Sequence, residues 1–145
     1  MRKLGLDVGD KTIGVAVSDE LDIPAQGVTT IDRVGIRKDA GNVMDYVREY
    51  DCDTVVMGLP INLDGSDSVQ TEKVREFRTM LENKMRSSGM ADVKVEWQDE
   101  RFTTVIAERG LMEANMKRKS RKEVVDKQAA IIILQSYMDR VKNGK

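Results

Sequence analysis

Apolar residues alternate with small or polar ones from Leu4 to Val17, and this period of two constrains the chain more than any other feature. Leu4, Leu6 and Val8 fall on one side of an extended strand, while Gly5, Asp7 and Gly9 fall on the other. Gly9-Asp10-Lys11 supplies turn chemistry, after which Ile13, Val15 and Val17 alternate with Gly14, Ala16 and Ser18. The spacing predicts a β-hairpin in which one carboxylate, Asp7, shares a sheet face with glycines. A carboxylate in an apolar strand is costly unless something pairs with it. Small neighbours leave room for such a partner, for example a cation with a phosphate attached. A half-exposed strand with a solvated Asp7 satisfies the same pattern.

The rest of the chain switches between this period and that of a helix. A turn at Leu21–Ala25, containing Pro24, leads to a third strand at Gln26–Ile31, which completes an antiparallel meander. Ile36, Ala40, Val43, Met44, Val47 and Tyr50 then mark one face of an amphipathic helix. Thr54-Val55-Val56-Met57 is continuously apolar, as expected of a strand covered on both faces, and it runs into a loop from Gly58-Leu59-Pro60 to Gly65. Asp67, with Gln70 three residues on, predicts the cap of a second helix through Val74, Phe77, Leu81 and Met85, closing near Ser87-Ser88-Gly89. Val93, Val95 and Trp97 alternate with Lys94, Glu96 and Gln98 in a fifth strand with a polar face. Thr103 or Thr104 is expected to cap a third helix through Ala107, Leu111 and Ala114. Lys117–Lys122 holds five basic residues in six and reads as a loop before a last helix, whose Ala129–Leu134 is apolar all round. The expected fold class is therefore α/β: a five-stranded mixed sheet, three antiparallel strands then two parallel, flanked by about four helices in the order βββαβαβαα.

Histidine is absent and Cys52 is the single cysteine. These absences exclude Ser-His and Cys-His nucleophilic sites, histidine bases and ligands, a conventional zinc site and an internal disulfide. Hydrolytic chemistry, if present, falls to carboxylates, most naturally around a hard cation such as Mg²⁺. One cysteine, the lack of a long apolar run and Lys11 and Asp19 within the early apolar region predict a cytoplasmic protein without a membrane span or signal peptide. The formal net charge of −1 argues against a generic nucleic-acid coat but is compatible with a local basic patch.

Acidic residues stand out by position. Asp7 lies inside the first strand, Asp99 and Glu100 follow the fifth, and Asp126 is expected near the start of the last helix. Ala129, Ala130, Ile133 and Leu134 share the helix face of Asp126, which should aim it toward the sheet. Stabilisation at the positive end of the helix dipole would explain Asp126 equally well.

The segments LGLDVGDKTIGVAVSD, VVMGLPINLDGS, DERFTT and VVDKQAAIIILQSYMD, in this order and at these separations, resemble the YqgF (RuvX) family over almost the full chain. That family carries the provisional description of pre-16S rRNA nuclease, is Holliday-junction-resolvase-like, and has a ribonuclease-H-like fold. The resemblance implies one ribonuclease-H-like nuclease domain over 1–142, with a frayed tail at 143–145. It implies Asp7, Glu100 and Asp126 as catalytic, metal-binding residues, with Mg²⁺ or Mn²⁺ as cofactor. Two ions about 3.5–4 Å apart neutralise the attacking and leaving oxygens of a phosphodiester without any histidine. Asp7 would bridge them, with Glu100 and Asp126 on either side and Asp99 or Asp19 as an outer ligand, or else solvated or capping. Thr12 departs from the family, many members of which carry arginine there; Lys11 partly compensates.

The expected partner is structured nucleic acid, pre-rRNA first and a DNA junction second, contacted by Lys11, Asn62, Arg101 and the basic run Lys117, Arg118, Lys119, Arg121 and Lys122. Low aromatic content speaks against extensive base stacking, and Trp97 reads as core. The expected state is a monomer or weak homodimer. Two other classes compete. Actin-like and sugar-kinase ATPases share an Asp-x-Gly turn but need two such domains. A non-catalytic RNA-binding assembly factor would use the same fold with an idle site.

Overall fold

The computed structural model describes residues 2–18, 24–102 and 118–144. The hairpin forms as its alternation requires, from β1 (Arg2–Val8) and β2 (Thr12–Val17), and β3 (Gln26–Asp32) adds antiparallel to β2. Helix α1 (Ile36–Glu49) carries the chain to β4 (Cys52–Leu59), which pairs in parallel with β1. Helix α2 (Val69–Ser87) then leads to β5 (Lys94–Asp99), parallel to β4, followed by a 3₁₀ turn at Glu100–Phe102. The last element is α3 (Arg118–Lys142). The helix expected through Ala107, Leu111 and Ala114, the residue Asp19 and the residue Lys117 lie outside the described residues, as does most of the turn before Pro24.

Sheet order is β3-β2-β1-β4-β5, the mixed sheet that the sequence pattern calls for. Burial explains the order. Val55, Val56 and Met57 of β4 are buried on both faces and need an interior position, whereas the partly polar β3 and β5 occupy the edges. Leu4, Leu6, Ile13, Val15, Val55 and Met57 face α1 and α2, where Val43, Val47, Phe77 and Leu81 complete the larger core. Ala16 and Val56 face the other way, onto Ala129, Ala130, Ile133 and Leu134 of α3. Both faces of the hairpin are thus covered. Asp7 is only 7% exposed, so the solvated-Asp reading does not hold.

Helix boundaries show two corrections. The N-cap of α2 is Ser68 rather than Asp67: Ser68 accepts from the Thr71 amide and Thr71 accepts from the Ser68 amide, a complete capping box. Asp67 instead pairs with Arg75 at the surface. Within the described residues α3 runs from Arg118, so the basic run is helical from that residue and is not a connecting loop there. Asp126 accordingly lies past the second turn, beyond the reach of the helix-dipole effect that could have explained it.

Arg33, just beyond β3, ties the sheet to α1. Its Nε donates to the fully buried Asp39 at 2.9 Å, and Asp39 also accepts from the Val34 amide at 2.9 Å. Cys52 is buried at the start of β4. Desolvation, reinforced by Asp53, pushes its thiol up to about 12, so it stays protonated and inert at neutral pH. Among the described residues, no helix is long and apolar enough to cross a membrane.

Candidate active site

One row of residues across the sheet organises the site. Asp7 pairs with Gly14 of β2 on one side. On the other, the register Leu6↔Met57 places the next residue, Gly58, beside it, and Gly58 pairs with Gln98. Asp7 therefore stands between two glycines. It shares its face with Gly5, whose missing Cβ would meet Leu134 of α3 at 2.6 Å, so this is the face that α3 covers.

Each flanking glycine makes room for an acidic residue, Gly14 for the main chain of Asp126 and Gly58 for the carboxyl group of Glu100. A Cβ on Gly14 would lie 2.0 Å from the main-chain oxygen of Asp126, so α3 seats Asp126 directly on β2. A Cβ on Gly58 would lie 3.3 Å from the carboxyl carbon of Glu100 and 2.5 Å from Ile133 Cδ1. Parallel pairing ends at Leu59↔Asp99, and the 3₁₀ turn that follows folds Glu100 back over Gly58. Asp126 and Glu100 thus approach the Asp7 row from opposite sides, and both are 6% exposed. Among the described residues, no three carboxylate or thiol side chains are grouped tightly enough to hold one ion directly.

The hairpin turn beneath Asp126 is firmly held. The Gly9 amide donates to the Thr12 carbonyl at 2.9 Å. Arg33 Nη1 donates to the Gly9 carbonyl at 2.9 Å, the Arg33 amide to the Lys11 carbonyl at 2.9 Å, and Gln70 Nε2 to the Val8 carbonyl at 3.1 Å. The buried Thr12 hydroxyl donates to Asp126 Oδ2. Sequence reasoning assigned no role to Arg33, read Gln70 only as part of a helix cap, and saw Thr12 only as a departure. Nothing local marks a partner 114 residues away.

Beside Glu100, Arg101 lies against its neighbour Asp99: Nε and Nη2 reach the two carboxylate oxygens at 2.8–3.2 Å, and the Arg101 amide donates to Oδ1 at 2.9 Å. Burial pushes the Asp99 carboxyl upward, but these bonds outweigh it and hold the group below the usual carboxylate range. Arg101 Nη1 also donates to the Leu63 carbonyl at 3.3 Å, fastening the loop after β4. In that loop Asn62 Nδ2 donates to the Ser66 hydroxyl, and the Ser66 amide and hydroxyl donate to Asp64. Gly65 takes a φ of +88°, which suits glycine. Asn62 and Lys11 are exposed. Arg118, Lys119, Arg121 and Lys122 fall in the first turns of α3 by position.

The model of the family described as RuvX, Holliday junction resolvase, matches residues 1–140. A relative from Clostridium novyi, provisionally named pre-16S rRNA nuclease, is 45% identical over 97% of this chain and 100% of its own length. One from Clostridium perfringens with the same name is 48% identical over 97% and 98%. Among solved structures, Thermus thermophilus RuvC in complex with a Holliday junction substrate superimposes with a TM-score of 0.65 at 13% identity, covering 99% of this chain and 97% of that one. The fowlpox virus Holliday junction resolvase gives 0.55 at 12% identity, covering 96% and 99%. These two likenesses show the fold, a ribonuclease-H-like one of the RuvC kind.

Proposed function

The chain belongs to the RuvX family, and from that premise we propose that it is a divalent-metal-dependent endonuclease that matures the 5′ end of precursor 16S rRNA. Three buried acidic residues on the face that α3 covers support this reading: Asp7 between Gly14 and Gly58, Asp126 seated on Gly14, and Glu100 over Gly58. Carboxylates that hold divalent cations can serve phosphodiester hydrolysis without any histidine.

Mg²⁺ or Mn²⁺ suits the site chemically, because the donors are hard carboxylate oxygens. Mg²⁺ keeps several waters and takes only one or two carboxylates alongside substrate phosphates, so no tight three-carboxylate chelate is required. When bound, such an ion supplies positive charge to the attacking and leaving oxygens of an in-line displacement. Asp7, at the centre of the row, is the principal ligand, with Glu100 and Asp126 on its two sides. Lys11, which precedes Thr12 in the hairpin turn, and Asn62, in the loop after β4, are exposed and would meet backbone phosphate. Arg101 serves the same surface by holding the Leu63 loop in place.

The basic run supports nucleic acid as partner. Cations at a helix N-terminus oppose the dipole at about 0.3–1 kcal/mol each, yet α3 has no acidic residue in its first turn. Phosphate groups would reverse that penalty. Replacing Lys117, Arg118, Lys119, Arg121 and Lys122 with glutamine should weaken binding to all sequences alike. The log–log salt slope should flatten by about 0.7–0.9 per phosphate contact removed. An unchanged slope would reduce these residues to a solvated helix end.

The likeness to resolvases favours a four-way DNA junction as the second reading. Purified protein with Mg²⁺ or Mn²⁺, offered precursor 16S rRNA and a four-way junction side by side, should cut the RNA near its mature 5′ end and lose that activity in EDTA. Preferential junction cutting would select the resolvase reading. Tight RNA binding without cleavage under any metal would select an assembly role.

A further inference from the structure

We infer that Thr12 is a positioning residue for Asp126: its hydroxyl fixes the carboxylate in the attitude from which a divalent cation is bound. This rests on the reading of Asp126 as a metal ligand given above. Thr12 opens β2 and is 6% exposed, and its hydroxyl donates to Asp126 Oδ2. Three features make this bond a directing one. The Asp126 backbone has no latitude, because its carbonyl oxygen occupies the place of a Gly14 Cβ. The turn bearing Thr12 has none either, being held through Arg33 and Gln70 at the Val8, Gly9 and Lys11 carbonyls. Threonine is β-branched, which restricts its χ1 and so the direction of its hydroxyl. What remains adjustable is the Asp126 side chain, and the hydroxyl selects its rotamer.

The chemistry of the donor matters as much as its place. An ionised carboxylate offers about four acceptor positions, and a neutral hydroxyl takes one of them. The remaining positions can serve a cation. Groups that orient metal ligands through hydrogen bonds typically account for about 10–100-fold in metal affinity or activity.

The test compares wild type with Thr12→Val, Thr12→Ser and Asp126→Asn. Melting temperature is followed in EDTA and across a Mn²⁺ or Mg²⁺ titration, with cleavage followed over the same titration. Thr12→Val should need about 10–100-fold more metal for half of its metal-induced rise in Tm. Thr12→Ser, which restores the hydroxyl, should stay within about threefold of wild type. A purely structural role would instead lower the EDTA melting point and leave the metal midpoint in place. A Thr12→Val titration matching wild type overturns the inference, as does a Thr12→Ser protein as impaired as Thr12→Val. If valine prevents folding, Thr12→Ala carries the same expectation. Asp126→Asn should abolish most of the metal-induced rise. If it titrates like wild type, Asp126 is no ligand, and the inference falls with the reading beneath it. If only the Thr12 variants behave like wild type, that reading survives and the role of Thr12 does not.

Discussion

Gly14→Ala is expected to lower the melting temperature by roughly 10 °C and to remove most nuclease activity, although it adds a single methyl group. The added carbon would lie 2.0 Å from the Asp126 main-chain oxygen, 2.4 Å from its carbonyl carbon and 3.0 Å from the Lys127 nitrogen. All three are backbone atoms of α3, so no side-chain rotation relieves the clash. The helix must lift from β2, and with it go the contacts of Ala129, Ala130, Ile133 and Leu134 with the sheet. Overpacking of this kind costs about 3 kcal/mol. For a chain of 145 residues that is about 10 °C in Tm. Asp126 moves with the helix, so activity should fall further than stability. Gly41→Ala is the matched control. It lies inside α1, where a Cβ meets only the flexible end of Lys84 at 3.8 Å, and alanine there should gain up to about 1 kcal/mol. Thermal melts of the two variants decide the matter. A Gly14→Ala protein melting like wild type would show that α3 does not seat on β2 as described.

Asp7→Asn should leave the fold intact and reduce cleavage by at least about a thousandfold. Asparagine is nearly isosteric with aspartate, so the packing between Gly14 and Gly58 survives the change. What is lost is the negative charge at the centre of the row. Stabilisation of phosphoryl-transfer charge by a metal centre is worth several kcal/mol, and a thousandfold corresponds to about 4 kcal/mol. The Tm in EDTA should change by only a few degrees, while the metal-induced rise should shrink. Cleavage by the mutant at the wild-type rate, or by wild type in excess EDTA, would remove Asp7 from the mechanism. Glu100→Gln, placed the same way over Gly58, should behave alike.

Some of this architecture is local and therefore written in the order of residues. The period of two from Leu4 to Val17 follows from pleated backbone geometry, so the hairpin and the face of Asp7 are legible without any partner. The helical spacing from Ile36 to Val47 and the doubly apolar Val55-Val56-Met57 are legible for the same reason, and they place α1 and an interior β4. The absence of histidine narrows the chemistry to carboxylates before any fold is known. Other features carried conflicting or no local signals. Asp67 and Ser68 are both good caps, and the choice went to Ser68 because Thr71 completes a reciprocal pair of hydrogen bonds. The basic run has no hydrophobic period, so its helical conformation from Arg118 on left no mark in the residues. The use of Gly14 and Gly58 as seats for Asp126 and Glu100 arises only when distant segments touch. Close backbone approach and the direction of one hydroxyl are decided by how α3 lies on the sheet. Those contacts join residues more than forty positions apart, and only the packed structure specifies them.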